Sequence, residues 1–265
     1  MAHESTRDFK ALFAKIPDVP PFDSISHPVW AGGSGQPIIL MHELDGFTHS
    51  FMLLAMHLSR HFTVYAPIFY GKPGQEFSAP AAIAKLCIMR EFEIFRLGKT
   101  SRIANWIRLL ADHIHGRHAN AKGVGVVGMC MTGGIALATV AQESVVAAVA
   151  AQPSFPLSLS FPFLDSVDRR KNLGMDDEDV KSAAGSITPL LVVRYGMDPI
   201  CPAERIMAIS EQIPKAQLLD KEQFATIKSH ATLTDSYREG TAADIKSASE
   251  AIVGEVVEFL LHNLE

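Results

Sequence analysis

Short apolar runs alternate with segments of helical periodicity along most of this chain. The run at 38–41 is continuously apolar, which is typical of a strand buried on both faces. We predict strands over 38–41, 62–68, 124–127, 145–150, 189–195 and 216–219, and helices over 50–60, 81–96, 101–115, from 131 onward and over 243–264. Because strands and helices alternate along the chain, the pattern predicts an α/β fold with a mostly parallel central sheet and helices on both faces.

Three segments interrupt this alternation. A cluster of Gly, Ser and Pro at 32–37 separates a strand at 29–31 from the run at 38–41, and it predicts an antiparallel hairpin. The Gly- and Pro-rich segment 69–81 and the Pro- and Phe-rich segment 153–163 both follow strands, so they are either walls of a pocket or ordinary surface loops. We expect a single domain over 1–265, with 153–186 as a cap or lid insertion.

The most specific pattern is the turn that follows the predicted strand at 124–127. It reads Gly128-x-Cys130-x-Thr132-Gly133 and leads into a helix rich in small residues. A nucleophile on a sharp strand-to-helix turn has strained backbone, and small neighbours relieve the crowding. The helix start also favours a thiolate. The pattern resembles the nucleophile elbow of α/β-hydrolases, with Cys130 in the nucleophile position.

A cysteine nucleophile needs a base, and the base needs an orienting carboxylate. Asp198 directly follows the predicted strand 189–195, and His230 lies in the loop before the C-terminal helix. Their order, nucleophile, acid and histidine, is the order of this fold class. Taken singly, an Asp after a strand is more often a helix cap and a His is usually a surface residue, so the prediction of a triad rests on the combination of Asp198 and His230 with the elbow.

A second cluster follows the predicted strand 38–41 and reads His42-Glu43-Leu44-Asp45-Gly46. In this fold class that loop donates one amide of the oxyanion hole. We therefore predict that the backbone amides of Leu44 and Met131 form the hole. Glu43 would then be a carboxylate at the floor of the pocket, close to Cys130.

These motifs together resemble the dienelactone hydrolase family, α/β-hydrolases with a cysteine nucleophile. The resemblance covers 35–260 through the clusters at Cys130 and Glu43, Tyr195-Gly196-x-Asp198-x-x-Cys201-Pro202, and Ser229-His230. It implies an ester or lactone hydrolase with a Cys130, His230 and Asp198 triad and no cofactor or metal. It also implies that Glu43 contacts the thiol at rest and is displaced by substrate, although a structural hydrogen bond would require the same residue.

The chain departs from the family at three places. Thr132 stands where many members have glycine, and 157–185 has the character of added material. The segment 86–93 offers no match to the arginines that hold the substrate carboxylate in the family. The resemblance therefore implies the fold and the triad, and it leaves the acyl and leaving groups open.

Composition restricts the class of partner. The 265 residues are 48% hydrophobic and carry a formal net charge of −5, which gives no electrostatic footprint for nucleic acid or an anionic membrane. The N-terminus has acidic residues and no apolar core, so it does not read as a signal peptide. Three cysteines without a pairing pattern suit a reducing compartment. We expect a cytoplasmic protein with a small ester, lactone or thioester as substrate; the oligomeric state stays open.

Several other residues invite a functional interpretation. His113, His115 and His118 are spaced poorly for a shared metal and are better read as a solvated helix end. Cys87 is read as a core residue, and Cys201 lies three residues past Asp198, near the predicted pocket. Arg90 and Arg194 could bind an acidic substrate, but structural ion pairs are the simpler interpretation.

Two alternatives compete with a cysteine hydrolase. One is a catalytically silent α/β-hydrolase scaffold that binds a ligand or partner, to which the insertion after Pro153 and the unusual Thr132 point. The other is a redox-reactive thiol protein.

Overall fold

The computed structural model describes residues 2–22, 24–89, 91–92, 97–156 and 166–265, and gives only the backbone for 2–4, 79 and 86–88. These residues form one eight-stranded sheet. Its strands in chain order are β1 (Phe13–Lys15), β2 (Val29–Gly33), β3 (Pro37–Leu40), β4 (Thr63–Pro67), β5 (Val124–Met129), β6 (Val145–Ala151), β7 (Leu190–Val193) and β8 (Gln217–Leu219).

Helices connect most of these strands. Within the described residues they are α1 (Ala2–Leu12), α2 (His49–Leu58), α3 (Ala79–Ile88), α4 (Arg102–Arg117), α5 (Gly133–Thr139), α6 (Val167–Lys171), α7 (Asp177–Gly185), α8 (Ala203–Gln212) and α9 (Ala243–Leu264). The predicted helix at 81–96 ends at Ile88, and residues 91–92 already form a turn; 90 and 93–96 lie outside the described residues. No helix in the described ranges is long and apolar enough to cross a membrane.

The spatial order of the strands is β1-β2-β4-β3-β5-β6-β7-β8. Strands β3 to β8 pair in parallel, whereas β1 and β2 are antiparallel to their neighbours. The prediction of a β2–β3 hairpin was wrong, because β4 lies between them. Val29 pairs with Pro67 of β4, and Ile38 pairs with Val64 on the other side of the same strand.

Both faces of the sheet are covered by apolar layers. On one face α4, α5 and α8 pack through residues such as Trp106, Ile135 and Ile209. On the other face α1, α2 and α9 pack through residues such as Phe9, Phe51 and Ile252. The predicted α/β-hydrolase architecture, a mostly parallel sheet with helices on both faces, is confirmed.

The insertion after β6 contains two short helices, α6 and α7. Ser166 caps α6 by accepting a hydrogen bond from the Arg169 amide, and Asp176 caps α7 through the Asp179 amide. Helix α6 packs against α8, and α7 packs against α5 and α8. Residues 157–165 lie outside the described chain. A single domain over 1–265 with 153–186 as its cap or lid therefore stays a prediction.

Candidate active site

Cys130 occupies the turn between β5 and α5. Strand β5 ends at Met129, residues Cys130–Thr132 form a 3₁₀ turn, and α5 begins at Gly133. Cys130 has a φ of 55°, in the left-handed region that L-residues with a side chain rarely adopt. Such strain is found preferentially at functional sites. The side chain is almost buried, with 6% of the residue exposed.

The neighbours of the elbow must be small for steric reasons. A Cβ atom at Gly128 would lie 2.1 Å from the carbonyl oxygen of Thr132, and one at Gly133 would lie 2.8 Å from the Cα atom of Pro153. Both contacts are with backbone, which cannot move aside without displacing the turn. The small residues expected on either side of Cys130 are therefore required by close packing.

Thr132 fastens this turn through its hydroxyl group. The hydroxyl accepts a hydrogen bond from the Met129 amide at 2.8 Å and lies 2.9 Å from the Met129 carbonyl oxygen. It also lies 3.4 Å from the carbonyl oxygens of Met41 and His42. A glycine could make none of these contacts. The Thr132 hydroxyl, which many family members lack, therefore connects the nucleophile turn to the loop after β3.

His230 and Asp198 form the hydrogen-bonded pair that the sequence predicts. The His230 Nδ1 atom lies 2.8 Å and 3.0 Å from the two carboxylate oxygens of Asp198. One of those oxygens also accepts hydrogen bonds from the amides of Ile200 and Cys201, at 2.8 Å and 3.0 Å. These two amides fix the position of the carboxylate. Its hydrogen bond to Nδ1 orients the ring so that the Nε2 side of His230 faces Cys130.

The charge state of His230 follows from its partners. Burial alone would lower the pKa of this histidine, but the charge of the Cys130 thiolate and hydrogen bonds to Asp198 and Cys130 act in the opposite direction. The balance raises the pKa of His230 well above its ordinary value. The His230 imidazole therefore holds a proton more readily than a free histidine does.

The loop after β3 places Glu43 and Leu44 beside Cys130. His42 is completely buried, and burial lowers its pKa to about 4, so its ring is neutral. Its Nδ1 atom donates to the Glu43 carbonyl oxygen at 2.8 Å, and its Nε2 atom accepts from the Phe69 amide at 3.1 Å. The Tyr70 hydroxyl donates to the Leu44 carbonyl oxygen at 2.5 Å. These contacts fix the loop that carries the predicted oxyanion amide.

Both carboxylate oxygens of Glu43 are occupied by residues that the sequence analysis did not single out. The amide of Gln152 donates to one oxygen at 2.8 Å, and the hydroxyl of Thr234 donates to the other at 2.8 Å. The guanidinium of Arg238 donates to that second oxygen at 3.3 Å. It also donates to the carboxylate of Asp45 at 2.6 Å. The structure therefore shows a structural anchorage of Glu43, and whether Glu43 also gates the thiol stays a prediction.

These groups surround a cavity of about 260 Å³. Its lining residues are Glu43, Leu44, Asp45, Cys130, Ile200, Ser229, His230, Ala231, Asp235 and Arg238. Burial and the charge of Glu43 raise the pKa of Asp45 to about 7, with Arg238 opposing them. Burial likewise raises the pKa of Asp235, whose carboxylate accepts a hydrogen bond from Ser229 at 2.6 Å. The cavity has room for the reacting part of a small substrate.

The predicted site residues converge on one cavity. The cavity is lined by Cys130, His230, Glu43 and Leu44. Asp198 hydrogen-bonds to the Nδ1 atom of His230, and Met131 follows Cys130 in the 3₁₀ turn.

Two of the three histidines at 113–118 have their own hydrogen-bond partners. His118 bonds to the Tyr65 hydroxyl at 2.7 Å, and His115 lies 3.2 Å from the Ala121 carbonyl oxygen. Among the residues whose side chains are described, no three His, Cys, Asp or Glu are grouped to hold a metal ion. Cys201 is fully buried beside Asp198. The Cys87 side chain and Arg90 lie outside the described part, and Arg194 donates to the carbonyl oxygens of Tyr195 and Gly196.

Solved structures share this fold at low sequence identity. A dienelactone hydrolase from Anabaena variabilis is 16% identical with a TM-score of 0.59, covering 96% of this chain and 100% of that one. A Pyrococcus furiosus esterase is 16% identical with a TM-score of 0.59, covering 98% and 95%. The carboxylesterase CesB from Bacillus subtilis is 14% identical with a TM-score of 0.56, covering 99% and 98%. At these identities the likeness establishes the fold.

The family comparison is more specific. The model of the dienelactone hydrolase family matches residues 25–262, which is most of the chain. A comparison with curated proteins finds no match. The matched range contains the elbow, the loop after β3 and the Asp198–His230 pair. This chain therefore belongs to the dienelactone hydrolase family and is a hydrolase of the carboxylic-ester and lactone type.

Proposed function

We propose that this hydrolase cleaves an ester, lactone or thioester of a small acid through an acyl-cysteine intermediate on Cys130. His230 is the general base and acid, and Asp198 orients it. The observation that carries the proposal is the alignment of Asp198, His230 and Cys130: a carboxylate fixed by two amides holds an imidazole beside a sulfur on a strained elbow. This is the geometry that activates a nucleophile in acyl transfer.

The reaction then proceeds in two steps. The Cys130 thiolate attacks the carbonyl carbon, the developing oxyanion accepts hydrogen bonds from the amides of Leu44 and Met131, and the leaving group departs with the proton of the His230 imidazolium. In the second step His230 takes a proton from water, which attacks the thioester. The acid is released, and Cys130 and His230 return to the thiolate and imidazolium.

Glu43 is a further charged group of the proposed site. Its carboxylate lines the same cavity as the sulfur, and a negative charge there disfavours a neighbouring thiolate. We expect Glu43→Gln to change the rate at which resting Cys130 is alkylated by iodoacetamide more than it changes substrate KM. An unchanged alkylation rate would leave Glu43 with a structural role only.

Product release with a panel of activated esters, enol-lactones and acyl thioesters tests the proposal. The wild-type protein is expected to turn over at least one class, and Cys130→Ala to lose about 1,000-fold or more of that rate. Full turnover by Cys130→Ala would contradict the nucleophile. Absence of product from the wild type across the panel would favour a silent ligand-binding scaffold.

The pH dependence of turnover follows from the cause of the raised His230 pKa. Acylation removes the thiolate charge, the largest of the influences that raise this pKa, so the imidazole of the acyl-enzyme loses its proton more readily. A protonated ring cannot accept a proton from water, so deacylation should slow as the pH falls from neutral to mildly acidic values. The measurement is single-turnover decay of the acyl-enzyme against pH. A rate that stays flat over this range would exclude His230 as the base.

A further inference from the structure

The segment 152–154, which directly follows β6, has no part in the mechanism above, although it contacts Cys130, Glu43 and His230. Gln152 and Ser154 are completely buried. The Ser154 amide donates to the Cys130 carbonyl oxygen at 3.0 Å, and the Ser154 hydroxyl lies 3.5 Å from the Nε2 atom of His230. Buried polar side chains at such a place are expected to be fully hydrogen-bonded and to hold their neighbours rigidly.

The side-chain amide of Gln152 connects two loops of the site. Its nitrogen donates to the Glu43 carboxylate at 2.8 Å, and its oxygen accepts a hydrogen bond from the Thr232 hydroxyl. Glu43 directly precedes Leu44, and Thr232 follows His230 by two residues. One amide group therefore links the loop of the predicted oxyanion hole to the loop of the base.

The backbone of Gln152 adopts a conformation that costs free energy in a residue with a side chain. Its φ is 35°, in the region that favours glycine, although the residue carries a long side chain. The Gln152 amide donates to the Val193 carbonyl oxygen at 2.6 Å, and its own carbonyl oxygen accepts from the Ser154 hydroxyl at 2.7 Å. The main chain and the side chain of Gln152 are thus both fixed.

We propose that Gln152 is a positioning residue that anchors the Glu43 carboxylate away from the Cys130 sulfur and holds the oxyanion loop against the loop of His230. This inference rests on the proposed function of Cys130. Without Gln152, one carboxylate oxygen of Glu43 loses its donor, while Thr234 and Arg238 still bind the other oxygen. The Cys130 thiol lines the same cavity and is a partner that the freed oxygen can take. Such a contact would stabilise the protonated thiol and disfavour the reactive thiolate.

The test replaces Gln152 by leucine, which has a similar shape and no amide. We expect the acid limb of Cys130 alkylation by iodoacetamide to move to higher pH, because a freed Glu43 retains the thiol proton. We also expect kcat for the best panel substrate to fall by about 10- to 100-fold while KM changes less, since a small misplacement of the oxyanion loop affects the transition state most. The other titratable groups around the cavity, Asp45, Asp235, Arg238 and His230, are unchanged in this variant.

Two further variants separate positioning from general damage. Gln142→Leu is the matched control. The side-chain amide of Gln142 also donates a hydrogen bond to a carboxylate, that of Asp112 at 2.8 Å, but on the exposed surface. This variant should behave as the wild type. Adding Glu43→Gln to Gln152→Leu should abolish the shift and give the alkylation profile of Glu43→Gln alone, since the carboxylate that retains the proton is gone. A merely structural role predicts no such rescue.

A fourth variant covers the case in which Gln152→Leu does not fold. Thr232→Val removes the other end of the same bridge with little change in volume, and it should move the alkylation profile in the same direction. An alkylation profile that matches the wild type in the folded variants, or an absence of rescue by Glu43→Gln, would overturn the proposal. Alkylation needs no turnover, so this outcome is distinct from a failure of the proposed hydrolysis, which would appear as an active Cys130→Ala protein.

Discussion

His230→Ala should lower kcat/KM by about 1,000-fold or more while leaving the fold intact. The side chain is the only imidazole that lines the cavity among the described residues, and its removal leaves the Cys130 sulfur without a proton acceptor. The charge of the imidazolium is lost as well, so the thiolate should become scarcer at neutral pH. We therefore expect slower alkylation of Cys130 together with the loss of turnover.

The control for this variant is His262→Ala, because His262 is exposed in the last turn of α9. That protein should keep wild-type turnover and alkylation. If His230→Ala retained most of its turnover with an unchanged alkylation rate, the base would have to be a different residue.

Asp198→Asn is expected to lower kcat by about 100- to 10,000-fold through the wrong tautomer of His230. The oxygen that accepts the Ile200 and Cys201 amides must remain an oxygen, so the NH₂ group of an asparagine would face the Nδ1 atom of His230. An Nδ1 atom that accepts a hydrogen bond places the proton on Nε2. The imidazole would then present a donor to Cys130, and it could not take the proton of the thiol.

This prediction is checked by steady-state kinetics beside Asp220→Asn, which removes an exposed carboxylate at the end of β8 and should have little effect. Thermal unfolding of both variants shows whether the fold is kept. A folded Asp198→Asn protein with near wild-type kcat would show that the orientation of His230 does not depend on this carboxylate.

The predictable part of the site consists of residues with a strong local context. Cys130 lies between a buried strand and a helix with small neighbours on both sides, and that spacing is visible within a few residues. Asp198 follows a buried strand, and His230 precedes the C-terminal helix, which the periodicity placed at its observed bounds, Ala243–Leu264. Each signal is short-range, and the order of the three along the chain connects them.

The partners of Glu43 could not be predicted in the same way. Gln152, Thr234 and Arg238 are separated from Glu43 by 109, 191 and 195 residues. An isolated Gln, Thr or Arg carries no local pattern that distinguishes a buried hydrogen bond from a surface position. Only the folded sheet brings their loops together at its carboxyl edge.

The wrong strand pairing has a related cause. A Gly- and Pro-rich turn between two apolar runs favours a hairpin locally, but β4 arrives later in the chain and pairs with both β2 and β3. Helix α1 was missed because few of its positions are apolar. Its Phe9 is buried, stacks on Phe13 and makes an edge contact with Phe47. Both outcomes depend on contacts between segments distant in sequence.

The most direct test of the central claim is the site of the acyl group. The wild-type protein is mixed with its best panel substrate, quenched in acid during the first turnover, digested and mapped by mass spectrometry. We predict an acyl mass on the peptide that contains Cys130, which forms before steady state and decays at the turnover rate. Turnover with the acyl group on another residue, Ser154 included, or with no acyl group on the protein at all, would contradict nucleophilic catalysis by Cys130.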